Sequence, residues 1–100
     1  MNSCPNCEKS KKQARDEKMV KLLKTRLNRV IGQLNGINKM LDENRYCVDL
    51  LTQISAAQSA LKEVGYIILE DHLKTCVSDD IKKDDFASLD EAVAISKKLI

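Results

Sequence analysis

Two runs of apolar residues with a strict three-four spacing constrain the fold of this chain most. We call them the seams: Val20, Leu23, Leu27, Val30, Leu34, Ile37 and Leu41 in the first, and Cys47, Leu50, Ile54, Ala57, Leu61, Val64 and Ile68 in the second. This spacing places each seam on one stripe of an α-helix. Only residues 42–44 separate the two runs, and so short a linker can only reverse the chain. The seams therefore predict an antiparallel helical hairpin, with the first helix ending near Met40 or Leu41 and Asn44 as the N-cap of the second.

The composition also favours helices. The 100 residues include 3 Gly, 1 Pro and 3 aromatic residues, too few for the turns and core of an all-β fold or for a base-stacking surface. The second helix can run from about Arg45 to about Ser78, and the capping-box pattern of Ser88 and Glu91 predicts a short third helix, Leu89 to about Leu99. The fold class is therefore all-α, with a three-helix protomer. A chain of this size buries only about two-thirds of its unfolded surface alone, which favours self-association.

The first 17 residues differ from the rest. They are polar, lack an apolar period and carry the motif Cys4-Pro5-Asn6-Cys7, so we interpret 1–17 as a mobile tail and 18–100 as one helical domain. The tail has no signal-peptide core, and the chain has no run of roughly 18 apolar residues for a membrane span. We therefore expect a cytoplasmic protein that does not enter a membrane. In that compartment its four Cys residues are metal ligands or redox thiols rather than structural disulfides.

Charge is distributed unevenly along the chain. Residues 1–36 hold nine Lys or Arg against three acids, whereas residues 37–100 hold eight basic and twelve acidic residues. A basic first helix attracts a polyanion such as DNA, and a solvated charged face is an equally good explanation of the same pattern.

Three residues carry ligand chemistry: Cys47, His72 and Cys76. His72 and Cys76 are four residues apart, so on one helix they lie about one turn from each other on the same face, as two ligands of one metal would. Cys47 precedes His72 by 25 residues, which on a continuous helix is roughly 37 Å at 1.5 Å per residue. One chain therefore cannot bring the three together.

Two copies of the second helix can bring them together. If the helix packs antiparallel against its copy, an axis near Ala60 and Leu61 places Cys47 of one chain opposite His72 and Cys76 of the other. The side chains around this point are small and permit close approach: Ser55, Ala56, Ala57, Ser59 and Ala60. The spacing thus predicts two identical sites in each dimer.

The chemistry of the ligand set points to the metal. Two thiolates and one imidazole form a soft set of low coordination number, which suits Cu(I), whereas structural Zn(II) requires a fourth ligand and ranks second. Taken singly, cysteines such as these two are more often small buried apolar residues, and a histidine such as His72 is more often a hydrogen-bonded surface residue. The joint spacing favours the metal site.

Three segments of the chain resemble copper-sensing repressors of the CsoR type in the CsoR/RcnR family: RLNRVIGQLNGI (26–37), RYCVDLLTQISA (45–56) and EDHLKTC (70–76). The resemblance covers about residues 20–100. It implies a dimer in the form of a four-helix bundle that pairs into a tetramer, binds operator DNA without metal and releases it when Cu(I) binds, which derepresses copper-efflux genes. It also implies that Cys47, His72 and Cys76 ligate Cu(I), and that Tyr46 and Glu91 support the site by hydrogen bonding to His72.

The resemblance also suggests the DNA-binding residues. Arg26 and Arg29 match basic positions of the first helix in relatives, Lys24 adds a third charge there, and Lys62 falls where relatives carry a basic residue at this or the next position, here Glu63. We expect phosphate contacts to dominate, with some selectivity from DNA shape. A copper chaperone is a further expected partner, as the metal donor.

Two other functions remain open at this stage. A repressor that senses persulfides would use Cys47 and Cys76 of opposite protomers and would not need His72. A copper chaperone would use Cys4 and Cys7, otherwise candidate auxiliary thiols, but such carriers contain strands that this pattern does not predict. An enzyme is disfavoured, because a single His without an acid-base cluster leaves little to perform catalysis.

Overall fold

The computed structural model describes residues 15–100. It contains the helices α1 (Glu17–Asp42), α2 (Cys47–His72), α3 (Ser78–Lys82) and α4 (Ala87–Leu99), and a π-helical segment, Leu73–Val77, continues α2 directly into α3. Residues 15–100 contain no strand and form three helical rods, so the all-α prediction is confirmed. In this part of the chain no helix combines the length and the apolar character that a membrane crossing requires. Cys4 and Cys7 lie outside the described residues.

The turn after α1 is formed by Asn44, which has a φ of 52°. The Asn44 N–H donates to the Leu41 carbonyl at 3.2 Å and the Arg45 N–H donates to the Met40 carbonyl at 3.0 Å, the two bonds of a Schellman C-cap. The prediction that Asn44 is the N-cap of the second helix is therefore wrong. Asn tolerates the left-handed conformation well, so it ends α1 instead, and α2 begins at Cys47.

The described chain divides into two compact units, Lys18–Val64 and Gly65–Ile100. In the first unit the two helices run antiparallel, as the seams predict. Arg26 lies 16 residues before the end of α1, Glu63 lies 16 residues after the start of α2, and their side chains form an ion pair at 2.9 Å. The predicted hairpin is thus confirmed.

Alternate members of each seam form the core of this first unit. Leu23 and Val30 of α1 and Ala57 and Val64 of α2 are at most 9% exposed, and burial of each larger apolar side chain stabilises the fold by about 1.5 to 3 kcal/mol. The seam members between them are exposed: Leu27, Leu34 and Leu41 in α1, and Cys47, Ile54 and Leu61 in α2. About half of each seam is therefore only partly covered by the described chain.

The second unit is built around the π-helical segment, which α3 continues along the same rod and against which α4 packs. Val77 and Ala92 are each only 2% exposed and form its centre. Asp84, with a φ of 59°, ends α3 in the same way as Asn44 ends α1, because the Asp84 N–H donates to the Ile81 carbonyl and the Asp85 N–H to the Asp80 carbonyl. The second helical rod thus extends four residues beyond the predicted end near Ser78.

The start of α4 differs from the capping-box prediction. The helix begins at Ala87 after Phe86, so Ser88 lies inside the first turn, where it is 1% exposed and its Oγ has no hydrogen-bond partner among residues 15–100. The Asp85 Oδ1 instead accepts a hydrogen bond from the Ala87 N–H at 3.0 Å. The predicted capping box is wrong because the Asp85 carboxylate already satisfies the Ala87 N–H, one of the free N–H groups at this end of the helix.

Candidate metal centre

His72 and Cys76 lie on either side of the change from α-helix to π-helix. His72 is the last residue of α2 and is 9% exposed, and Cys76 is half-buried in the π-helical segment. A π-helix bonds residue i to i+5 rather than i+4, so four residues here span slightly less than one turn. The two side chains still lie about one turn apart on the same side of the helix. Segments of this kind occur frequently at functional sites.

Local side-chain bonds hold the backbone around these two residues. The Thr75 hydroxyl donates to the Asp71 carbonyl at 2.8 Å and lies 3.9 Å from the Cys76 Sγ. The Lys74 ammonium donates to the Glu70 carboxylate at 2.7 Å, and this hydrogen bond, together with the negative charge of Glu70, raises the pKa of Lys74 above its ordinary value. Bonding of a Thr hydroxyl to the carbonyl four residues earlier often bends a helix slightly.

A cavity of about 280 Å³ opens beside His72 in the second unit. Its lining is Gly65, Ile68, Leu69, His72, Glu91, Ala92, Ile95 and Leu99. The structure therefore brings His72 and Glu91 to one cavity, although no hydrogen bond joins their side chains in the described residues. The role of Glu91 as a hydrogen-bond partner of His72 stays a prediction.

Cys47 is the first residue of α2, and Tyr46 directly precedes it. Both are exposed, Tyr46 by 69%, and the Tyr46 carbonyl accepts hydrogen bonds from the Asp49 and Leu50 N–H groups at the start of the helix. Neither Cys47 nor Cys76 forms a disulfide. Both thiols therefore have the chemical form from which a metal thiolate is made.

The length of α2 separates the candidate ligands. The helix runs without interruption from Cys47 to His72, so its ends are roughly 37 Å apart at 1.5 Å per residue. Within residues 15–100, no three His, Cys, Asp or Glu side chains gather closely enough to hold a metal ion. A single chain therefore places His72 and Cys76 at one end of the rod and Cys47 at the other. Each end holds only part of the candidate ligand set.

The candidate DNA-binding residues have different surroundings. Lys24 and Arg29 are exposed on α1, and Lys62 is exposed on α2. Arg26 is half-buried and pairs with Glu63, a residue that the sequence analysis named only as a departure from relatives. The hairpin register could have revealed the pair, because the two residues are equally far from the turn. The π-helical segment, in contrast, has no recognisable sequence signal.

Comparison with protein families settles the class of protein. The family model described as "Metal-sensitive transcriptional repressor" matches residues 17–98. The chain belongs to this family. The family is one of transcriptional repressors rather than enzymes, which agrees with the prediction made from the sequence.

Individual relatives of this metal-sensitive repressor are named for different metals. The copper-sensing transcriptional repressor CsoR of Bacillus subtilis (strain 168) is 53% identical over 60 residues, which are 60% of this chain and 59% of the relative. The crystal structure of CsoR with Cu(I) from Geobacillus thermodenitrificans NG80-2 superposes with a TM-score of 0.79 at 39% identity, covering 86% of this chain and 91% of the other. The nickel-responsive regulator InrS superposes with a TM-score of 0.70 at 26% identity, covering 90% and 100%.

Proposed function

We propose that this repressor responds to Cu(I): it binds operator DNA without metal and releases the DNA when Cu(I) binds, which derepresses copper-efflux genes. The observation that carries the proposal is the placement of two thiols and one imidazole at the two ends of the helical rod formed by α2 and the π-helical segment that follows it. Likeness over 86% of the chain to a repressor solved with Cu(I) supports the choice of metal.

The proposed ligands are Cys47 of one protomer and His72 and Cys76 of another. Two sulfur atoms and one nitrogen match the preference of Cu(I) for soft ligands in low coordination, and a fourth side chain for structural Zn(II) is absent from this set. Because His72 and Glu91 line one cavity, we assign Glu91 to orient the imidazole, as carboxylates commonly do for metal-ligating histidines. Tyr46 precedes Cys47, so the two-chain site would bring its phenol to the same imidazole.

A homodimer that pairs into a tetramer is the proposed assembly. The exposed half of each seam supports it, since Leu34 and Leu61 are each more than 50% exposed and lie on stripes that a second copy would cover. Antiparallel packing about an axis near Ala60 and Leu61 would complete both metal sites in one step.

Release of DNA follows from differential affinity. A ligand shifts an equilibrium only by as much as it prefers one conformation to the other. The conformation in which Cys47, His72 and Cys76 share one ion must therefore fit operator DNA less well than the metal-free conformation does. A coupling free energy of about 1 to 3 kcal/mol is typical of such links and lowers affinity by about 5- to 150-fold.

DNA binding is assigned to a basic surface that includes Lys24, Arg26, Arg29 and Lys62. Residues of this kind bind phosphates and make affinity strongly dependent on salt. A protein that acts on operator DNA works in the bacterial cytoplasm, where a copper chaperone would deliver the metal.

The experiment that tests the proposal is a DNA-binding titration of the reduced protein with Cu(I), Zn(II), Ni(II) and a persulfide in parallel. We expect Cu(I) to dissociate the complex efficiently, and we expect the Cys47→Ser and His72→Ala variants to bind DNA without responding to Cu(I). Release by Ni(II) or Zn(II) alone would overturn the metal assignment.

A persulfide-sensing repressor is the second candidate, because Cys47 is exposed, Cys76 is half-buried and neither is in a disulfide. Sulfur chemistry between the two thiols of opposite chains would not need the imidazole. The His72→Ala variant decides between the candidates, since only the copper site loses its response. The third candidate, a copper chaperone, is disfavoured by the absence of any strand in residues 15–100.

A further inference from the structure

The ion pair between Arg26 and Glu63 joins the two helices of the hairpin. The Arg26 Nη1 donates to the Glu63 Oε1 at 2.9 Å, and the side chains are 34% and 60% exposed. Arg26 is also one of the residues to which we assign phosphate binding. The Glu63 carboxylate thus pairs with the same guanidinium that we assign to bind a DNA phosphate.

The ion pair uses only part of the hydrogen-bonding capacity of the Arg26 guanidinium. Of its five N–H donors, one contacts Glu63, and the buried Nε has no hydrogen-bond partner among the described residues. A single contact of this kind lacks the paired bonds that Arg forms with a carboxylate or a phosphate in its preferred geometry. The carboxylate of Glu63 is therefore a partner that a phosphate can replace.

Three further basic residues lie near Arg26 or Glu63 in the sequence. Lys62 is the neighbour of Glu63 on α2, and Lys24 and Arg29 are exposed on α1 within one turn of Arg26 in sequence. A phosphate that approaches Arg26 must displace the Glu63 carboxylate and then stay close to its negative charge. Both requirements weaken binding, and neither would apply if position 63 were neutral.

We propose that Glu63 is an intramolecular competitor of DNA phosphate at Arg26 and lowers the DNA affinity of the metal-free protein. This inference rests on the proposed DNA-binding function and refines it, because it assigns a specific acidic residue to the control of affinity. Glu63 acts through Arg26 and does not itself contact DNA.

The test compares Glu63→Gln with Glu70→Gln, in the full-length, reduced, metal-free protein. Both substitutions remove one negative charge from an exposed, ion-paired glutamate of α2, so Glu70→Gln is the matched control. The probe is a DNA duplex that the wild-type protein selects from a random-sequence pool, with a scrambled duplex beside it. We expect Glu63→Gln to bind about two- to fivefold more tightly than Glu70→Gln, the range for an exposed ion pair.

Two further readouts separate competition at Arg26 from a general effect of charge. The slope of log affinity against log salt should steepen in Glu63→Gln by about 0.9 for each Arg26 that gains a phosphate. In an Arg26→Gln background the Glu63→Gln substitution should no longer raise affinity. Far-ultraviolet circular dichroism checks that all variants keep the helical fold.

The outcomes distinguish this inference from the proposed function. Equal affinities of Glu63→Gln and Glu70→Gln, or a gain that persists in the Arg26→Gln background, would overturn the inference while wild-type binding to operator DNA stands. A wild-type protein that selects no duplex would overturn the proposed function, and the inference with it.

Discussion

Gly65 lies directly against Leu99, the last residue of α4. A Cβ built on Gly65 would lie 2.8 Å from the Leu99 Cδ2, which is closer than two carbon atoms can pack. Both residues line the cavity that also contains His72 and Glu91. The absence of a side chain at position 65 therefore lets the end of α4 close against α2 beside the candidate metal ligand.

This contact predicts different effects of alanine at two helical glycines. At Gly36 no heavy atom lies within 4 Å of an added Cβ, so Gly36→Ala should raise the free energy of unfolding by about 1 kcal/mol through helix propensity. Gly65→Ala should raise it less, because Leu99 must rotate away. Urea denaturation of both variants measures the difference, and an equal gain at the two positions would contradict the contact.

A site shared between two chains predicts complementation between inactive variants. Cys47→Ser and Cys76→Ser should each bind no Cu(I) at the candidate centre. After the two are mixed and allowed to exchange subunits, each mixed dimer holds one intact site, because its remaining Cys47 and Cys76 come from opposite chains. Random exchange should restore about a quarter of the wild-type Cu(I) capacity, measured in competition with a Cu(I) chelator.

The control for this mixture is the single variant incubated with itself under the same conditions. A site within one chain would give no recovery, since every chain in the mixture lacks one ligand. Recovery in a Cys47→Ser and His72→Ala mixture would further place His72 in the same half of the site as Cys76.

His72→Ala should lower the Cu(I) affinity at least about 100-fold, because loss of a residue that only supports a ligand already lowers affinity by about 10- to 100-fold. Glu91→Gln should fall within that smaller range, since Glu91 lines the cavity with His72 but is not assigned as a ligand. Chelator competition measures both. An unchanged Cu(I) affinity in His72→Ala would remove the imidazole from the site.

The sequence predicted the parts of the fold that depend on periodic burial. The spacing of Leu23 and Val30 and of Ala57 and Val64 places them on facing stripes, and these four are the buried core of the hairpin. Short-range spacing likewise placed His72 and Cys76 about one turn apart. Such predictions succeed because helical geometry is fixed by residue number alone.

The helix ends and the local bonds could not be predicted in the same way. Asn44 is favourable both as an N-cap and in a left-handed C-terminal turn, and only the bonds made by the neighbouring backbone decide between them. The π-helical segment around Cys76 lies where α4 packs against the helical rod, and no local sequence pattern predicts such a contact. The partners of Cys47 depend on a second chain.

The pair of Glu70 and Lys74 gives a prediction for high pH. Glu70 raises the pKa of Lys74 above its ordinary 10.5, so the contribution of the pair to stability is complete below that pH and is lost as the pH rises through the folded-state pKa. Glu70→Gln should return the Lys74 pKa toward 10.5, as followed by NMR titration of the lysine side chains. Glu63→Gln, the control, should leave that titration unchanged.

The first turn of α4 predicts opposite effects at two neighbouring polar residues. The Asp85 Oδ1 accepts the Ala87 N–H at 3.0 Å, so Asp85→Ala should lower the free energy of unfolding by about 1 kcal/mol, as the loss of a helix cap does. Ser88 is buried with an Oγ that has no partner in the described chain, so Ser88→Ala should be neutral or stabilising. Thermal unfolding compares the two variants, and a loss of stability in Ser88→Ala with none in Asp85→Ala would restore Ser88 as the cap.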